Sequence, residues 1–157
     1  MSCMSKTKVL FLCTHNSARS QIAEGLLRHM YGGEYEVFSA GTNPTHVNPL
    51  AIKVMDEIGI DISEQYSKVL DVFRDVDIDL VVSVCHSDAK LNCAICASPI
   101  VMGRPTLIIS RLPKAKEYLD HPFDDPSEVQ GTEEEKLAAF RRTRDEMKKW
   151  IKERFVI

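Results

Sequence analysis

The chain has 157 residues, 44% of them hydrophobic, enough for one good core and too few for two ordinary domains, so residues 1–157 read as a single domain. A formal net charge of −3 gives no bulk basic field and argues against a nucleic-acid partner, so any anion site must be local. No apolar run approaches membrane-spanning length, and none follows the charged start Met1–Lys8, so the expectation is a cytoplasmic protein with no membrane partner.

In chain order, residues 7–12 read as a buried strand and 20–31 as a helix closed by Gly32 and Gly33. Tyr35–Ser39 is a second short strand, ended by the turn Gly41-Thr42-Asn43-Pro44. Asn48 caps a helix with Pro49 in its first turn and apolar positions at Leu50, Ile52, Val54, Met55 and Ile58, and Gly59 stops it. Ser67–Val76 reads as a further short helix. Asp79–Val84 is nearly all apolar, the pattern of a strand covered on both faces, and Thr106–Ile109 is the expected fourth strand. Loops 85–104 and 110–131 are long and are expected to carry function. Thr132 with Glu135 fits a capping box for the last helix. Its basic cluster (Arg141, Arg142, Arg144, Lys148, Lys149, Lys152) alternates with Asp145, Glu146 and Glu153 and reads as a solvated face. Strands alternating with helices imply an α/β fold, with a parallel sheet and helices on both faces.

The most informative stretch is Cys13-Thr14-His15-Asn16-Ser17-Ala18-Arg19-Ser20, lying between the first strand and the first helix. Loop N–H groups and a helix dipole favour an anion at that position. Arg19 can grip two oxygens of a tetrahedral oxyanion with its planar fork. The same positive field favours the thiolate of Cys13, and the Ser20 hydroxyl can donate to that sulfur. Nucleophile and oxyanion-binding loop then coincide. A bare Cys-x5-Arg arises by chance roughly 0.3 times in such a chain, but the following serine and the strand-loop-helix context make the match far more specific.

Two other constellations matter. Cys85 falls directly after the buried strand and is followed by Cys93 and Cys96. In a parallel sheet Cys85 emerges on the same edge as Cys13, so the three thiols suit a disulfide relay. The spacing of Cys93 and Cys96 also suits zinc, with Cys85 or His86 added, although no second such pair exists. Five cysteines without a secretion signal speak for redox or metal chemistry over a disulfide scaffold. In Pro122-Phe123-Asp124-Asp125-Pro126, Asp125 is the candidate acid for an oxygen leaving group, although Asp-Pro is also a common turn signal.

These residues resemble the thioredoxin-linked arsenate reductases, which share the fold of the low-molecular-weight protein tyrosine phosphatases. The resemblance rests on Cys13–Ser20, Gln21-x-Ala23-Glu24-Gly25, Ser39-Ala40-Gly41, Val47-Asn48-Pro49-x-Ala51, Gly59–Ser63, the strand ending at Cys85, and Phe123–Pro126. It implies a four-stranded parallel sheet, Cys13 as nucleophile, Arg19 as oxyanion clamp and Asp125 as general acid. Arsenate is the implied substrate, no cofactor is expected, and thioredoxin or another thiol reductant is the implied partner. Cys85 then resolves the arsenic adduct, and Cys93 moves the disulfide outward, with Cys96 as the alternative resolving thiol. Ser127 stands where the related phosphatases carry an aromatic, which tilts the reading toward reduction. The alternatives are a tyrosine phosphatase and, in another class, a zinc- or redox-responsive binding protein. His15 replaces a frequent glycine, a position that could require an unusual backbone conformation. Some relatives bind potassium through residues matching Asn16, Glu24 and Ser39, with an aspartate where this chain has Lys68. Asn16 is therefore read as a loop brace, and the Lys68 ammonium as a replacement for the ion, with no metal expected.

Overall fold

The computed structural model describes residues 6–13, 15–41, 44–73, 75–84 and 115–155. Four strands form one sheet: β1 (Thr7–Cys13), β2 (Tyr35–Gly41), β3 (Ile78–Ser83) and β4 (Ala115–Asp120). All neighbouring pairs are parallel, in the order β2-β1-β3-β4. The helices among the described residues are α1 (Arg19–Tyr31), α2 (Pro49–Asp56) and α3 (Glu133–Arg154).

The central position of β1 follows from its composition. Val9, Leu10, Phe11 and Leu12 are fully buried, so successive side chains on opposite faces are both covered. α1 packs against β1, β2 and α3, and α2 against α3. Phe155, just past the end of α3, closes the core edge-on against Phe11, Tyr35 and Trp150. Gly25 allows the close approach of α1 to the 55–62 segment, since a Cβ there would lie 2.6 Å from Ile62 Cγ2.

Three expectations need correction. The fourth strand of the sheet is Ala115–Asp120, inside the stretch expected to be loop; the expected strand 106–109 lies outside the described residues. Among the described residues β4 pairs with β3 alone and is mostly solvent-facing, so its Ala-Lys-Glu-Tyr-Leu-Asp sequence lacks the apolar run that marks a buried strand. The helix expected over 67–76 is reduced to a 3₁₀ turn, Leu70–Phe73. Residues 67–69 stay extended because their backbone groups are engaged elsewhere: Lys68 O accepts from Gly41 N–H at 2.9 Å, and Val69 bridges Gly41. Finally, the basic face of α3 is not wholly solvated. Arg144 is buried, donating to Val54 O at 2.8 Å and to Glu57 and Asp145, while Arg141 forks onto Glu57. These pairs hold Glu57 well below the usual carboxylate range, at about 2, chiefly through the Arg141 hydrogen bond. Among the described residues no helix is long and apolar enough to cross a membrane.

Candidate active site

The parallel sheet brings the carboxyl end of β1 against the start of α1, and the loop between them is tied down from outside. His15 O accepts from Thr45 N–H at 3.1 Å and Ser17 O from Asn48 N–H at 2.9 Å. Asn16 O accepts from the Gln21 side-chain amide at 2.9 Å and from Ser67 Oγ at 2.6 Å. Because a trans peptide points its C=O and the following N–H in opposite directions, the N–H groups of Asn16, Ser17 and Ala18 face away from these donors. The helix start adds to this field. α1 has Ala18 at its N-cap, no side-chain cap and no acidic residue in its first turn, so its free N–H groups are available to an anion.

Within the loop, Cys13 Sγ lies 2.9 Å from Ser20 Oγ, both buried. Asn16 Nδ2 donates to the same Ser20 oxygen at 2.7 Å. The orientation of that amide is set by Lys68, whose backbone N–H donates to Asn16 Oδ1 at 2.8 Å. With Asn16 filling one acceptor position of Ser20, the serine hydroxyl keeps its proton free to donate to the sulfur, and either atom of that contact can be the donor. Asn16 also carries the loop's one left-handed conformation among the described residues, φ 50°. The unusual backbone expected at His15 therefore sits one residue later, on a residue type that tolerates it. Thr14 lies outside the described residues.

Arg19, at the first position of α1, crosses to the 123–125 segment. One terminal nitrogen donates to Phe123 O at 3.2 Å and the other to Asp125 Oδ2 at 3.4 Å. Asp125 is held on its other oxygen by Ser127, through the backbone N–H at 2.9 Å and the hydroxyl at 2.6 Å. The Asp-Pro turn signal and the site residue are thus one feature: Asp125 caps the 3₁₀ turn Pro126–Glu128 while facing Arg19. Cys13, His15, Ser17, Ala18, Arg19, Asp125 and Ser127 line a cavity of about 220 Å³, together with Thr45, His46 and Asn48. That is room for a small tetrahedral anion beside the sulfur.

The fold thus gathers Cys13, Arg19, Ser20 and Asp125, with Asn16 as the brace. Cys85, His86, Cys93 and Cys96 lie outside the described residues. Val84, which precedes Cys85 in sequence, is described: its N–H donates to Leu12 O at 2.9 Å, beside Cys13. Reading the sequence missed Thr45, His46 and Ser67, took Gln21 only as a motif residue and Ser127 only as the replacement of an aromatic, not as a partner of Asp125. Thr45 and Ser67 reach the loop from distant segments, which leaves no local pattern, whereas Ser127, two residues after an aspartate, is a recognisable Asx-type turn.

Residues 8–155 match the low molecular weight phosphotyrosine protein phosphatase family. The chain belongs to that family. The arsenate reductase of Halalkalibacterium halodurans is 44% identical over 149 residues, 95% of each chain. Among solved structures, an arsenate reductase in the phosphate binding state superposes with a TM-score of 0.70 at 31% identity, over 94% of this chain and 95% of that one. A thioredoxin-dependent arsenate reductase of Corynebacterium glutamicum superposes at 0.57 with 27% identity, over 96% of this chain and 64% of that one.

As a member of the low molecular weight phosphatase family, the chain carries Asn16, Glu24, Ser39 and Lys68 together behind the loop, and this set does not fit a potassium ion. Asn16 Oδ1 is occupied by the Lys68 N–H. The Ser39 hydroxyl donates to Glu24 Oε1, and Arg28 donates to Glu24 Oε2. Lys68 Nζ stands 3.8 Å from Glu24 Oε1, and an ammonium repels a cation where a ligand oxygen would be needed.

Proposed function

We propose that this protein, acting as one domain over residues 1–157, reduces arsenate to arsenite through Cys13 and a thiol relay regenerated by thioredoxin or another dithiol. The observation that carries the reading is the Cys13–Ser20 contact of 2.9 Å in a cavity shared with Arg19 and Asp125. It puts a nucleophilic sulfur, an oxyanion clamp and a carboxyl group around one small volume. Arsenate rather than a phosphate ester is favoured by the 44% identity to an arsenate reductase, and by Ser127, which buttresses Asp125 instead of presenting an aromatic wall.

In this scheme the loop N–H groups and Arg19 hold three oxygens of arsenate. The Cys13 thiolate attacks arsenic, and a hydroxyl departs as water after taking a proton from Asp125. The Cys85 thiolate then attacks Cys13 Sγ. The sulfur–arsenic bond breaks and its electron pair stays on arsenic, giving arsenite and a Cys13–Cys85 disulfide. The two thiols have lost the two electrons that arsenic gained. Support for this step comes from the pairing of Val84 with Leu12, since Cys85 is the next residue in sequence. Cys93, or alternatively Cys96, attacks Cys85 and frees Cys13, and an external dithiol reduces the remaining disulfide.

Phosphate monoester hydrolysis is the second reading, favoured by the family match itself. One comparison separates the two. With arsenate, thioredoxin, thioredoxin reductase and NADPH, wild type is expected to oxidise NADPH and Cys85→Ser to have lost that activity while retaining slow hydrolysis of a phosphotyrosine analogue. NADPH oxidation by Cys85→Ser at the wild-type rate would end the relay, and wild type that turns over only the ester would reverse the assignment.

A further inference from the structure

Behind the oxyanion loop lies a charge cluster that the chemistry above does not use. Glu24, on α1, has a side chain only 6% exposed, yet it is surrounded by donors: Ser39 on Oε1, Arg28 on Oε2, and Lys68 Nζ at 3.8 Å. Arg28 is half exposed and also serves Val37 O, whereas the Lys68 side chain is 12% exposed and lies over the Tyr66 ring, with Nζ donating to Tyr66 O at 2.8 Å. A buried carboxylate stripped of its counter-charge is strongly unfavourable.

Lys68 is joined to the loop at its other end as well. Its backbone N–H holds Asn16 Oδ1, and its carbonyl accepts from Gly41 N–H at the end of β2. Asn16 in turn bonds Ser20, and Ser20 contacts the Cys13 sulfur. One residue therefore connects a buried charge on α1 to the hydrogen bond that stabilises the nucleophile. Burial lowers the Lys68 pKa while Glu24 opposes that shift, as expected of an ammonium drawn into the fold by one carboxylate.

We propose that the Lys68 ammonium is a resident cation and a positioning residue for the oxyanion loop, so that oxyanion binding and Cys13 reactivity need no added monovalent cation. The reaction it serves is the one proposed above, but its effect is read on the loop itself, by two measurements that do not depend on arsenate turnover. These are the dissociation constant of inorganic phosphate by calorimetry and the rate of Cys13 alkylation by iodoacetamide, in a background where Cys3, Cys85, Cys93 and Cys96 are serine.

Wild type should give the same values, within twofold, in potassium, ammonium and choline chloride at equal ionic strength. Lys68→Ala in choline should bind phosphate at least tenfold more weakly and alkylate several-fold more slowly, and ammonium or potassium should restore much of both. A merely structural lysine would not produce that rescue. Should Lys68→Ala not fold, Lys68→Met is compared with Lys68→Met/Glu24→Gln. Removing both charges is expected to recover phosphate binding relative to the single variant. Overturning results are a wild type whose binding changes severalfold between potassium and choline, a Lys68→Ala that binds like wild type, a defect no cation relieves, or a double variant no better than the single. Phosphate binding that follows the expected pattern in a protein inert toward arsenate would defeat the functional reading and leave this one standing.

Discussion

Two helix starts in this molecule carry the same positive dipole end and are treated in opposite ways. At α3, Thr132 Oγ1 accepts from Glu135 N–H at 3.2 Å, Glu135 Oε1 accepts from Thr132 N–H at 3.0 Å, and Glu133, Glu134 and Glu135 fill the first turn. At α1 the N-cap is Ala18, whose side chain gives no cap, the first turn holds no acid, and the first helical residue is a buried arginine. The α3 end is neutralised within the chain and contributes to stability. The α1 end lacks that cap, a sacrifice of about 1 kcal/mol, and in the proposed function it is where the anion sits. The difference teaches that an uncapped, buried, acid-free helix start is a candidate binding feature when a cysteine and an arginine share it.

The comparison is broken most completely at Cys13. Cys13→Ser is expected to abolish turnover with any oxyanion while phosphate still binds, because a serine hydroxyl is far from ionising in the same field. Retained arsenate turnover, measured by NADPH oxidation, would contradict the chemistry. Next comes Ala18→Asp, which gives α1 the cap that it lacks. The new carboxylate competes with the anion for the same N–H groups, so phosphate affinity should fall at least about tenfold, roughly 1.4 kcal/mol. Calorimetry showing unchanged affinity would mean that the helix start contributes little to binding.

The reverse test is milder. Thr132→Ala removes the α3 cap and should lower stability by about 1 kcal/mol, seen as a lower urea midpoint, with phosphate affinity unaltered. The smallest effect belongs to Glu135→Gln. Thr132, through its backbone N–H first and its hydroxyl second, lowers the Glu135 pKa below its usual 4.5. The unfolded chain therefore binds that proton first as pH falls, and the carboxylate's stabilisation is present above pH 4.5 and lost below it. The stability gap between wild type and Glu135→Gln should shrink as pH is lowered from 6 to about 3, in step with that titration. A gap that widens on acidification would mean the cap acts without its charge.

Strands with two buried faces and helices with marked ends were legible in the chain. Val9–Leu12 are all apolar and the run ending at Val84 nearly so, and Asn48-Pro49 and Thr132 with Glu135 name their helix starts chemically. β4 was not legible, because a strand with one partner among the described residues and a largely exposed surface needs no apolar pattern. Nor was the extended path of 67–69, whose backbone bonds to Asn16 and Gly41 outweigh a weak local helix preference. Arg144 was misread for a related reason: a charge in a helical row looks solvated until the segment packed against it is known.

The sequence by itself marked the candidate oxyanion loop, since Cys13, Arg19 and Ser20 lie within eight residues at the spacing that the proposed chemistry needs. It also marked Asp125, although only as one of two readings of an Asp-Pro turn. Tertiary structure alone decided what surrounds them. The 3.4 Å approach of Arg19 to Asp125 joins residues 106 positions apart. The carbonyls of His15, Asn16 and Ser17 are turned outward by donors from residues 21, 45, 48 and 67. Lys68 comes to face Glu24 because the chain after α2 returns along the end of β2. The physical reason is the range of the forces involved. Loop chemistry and capping act within a turn of chain, whereas backbone hydrogen bonds and buried charge pairs are satisfied by whichever segment the packed sheet brings alongside.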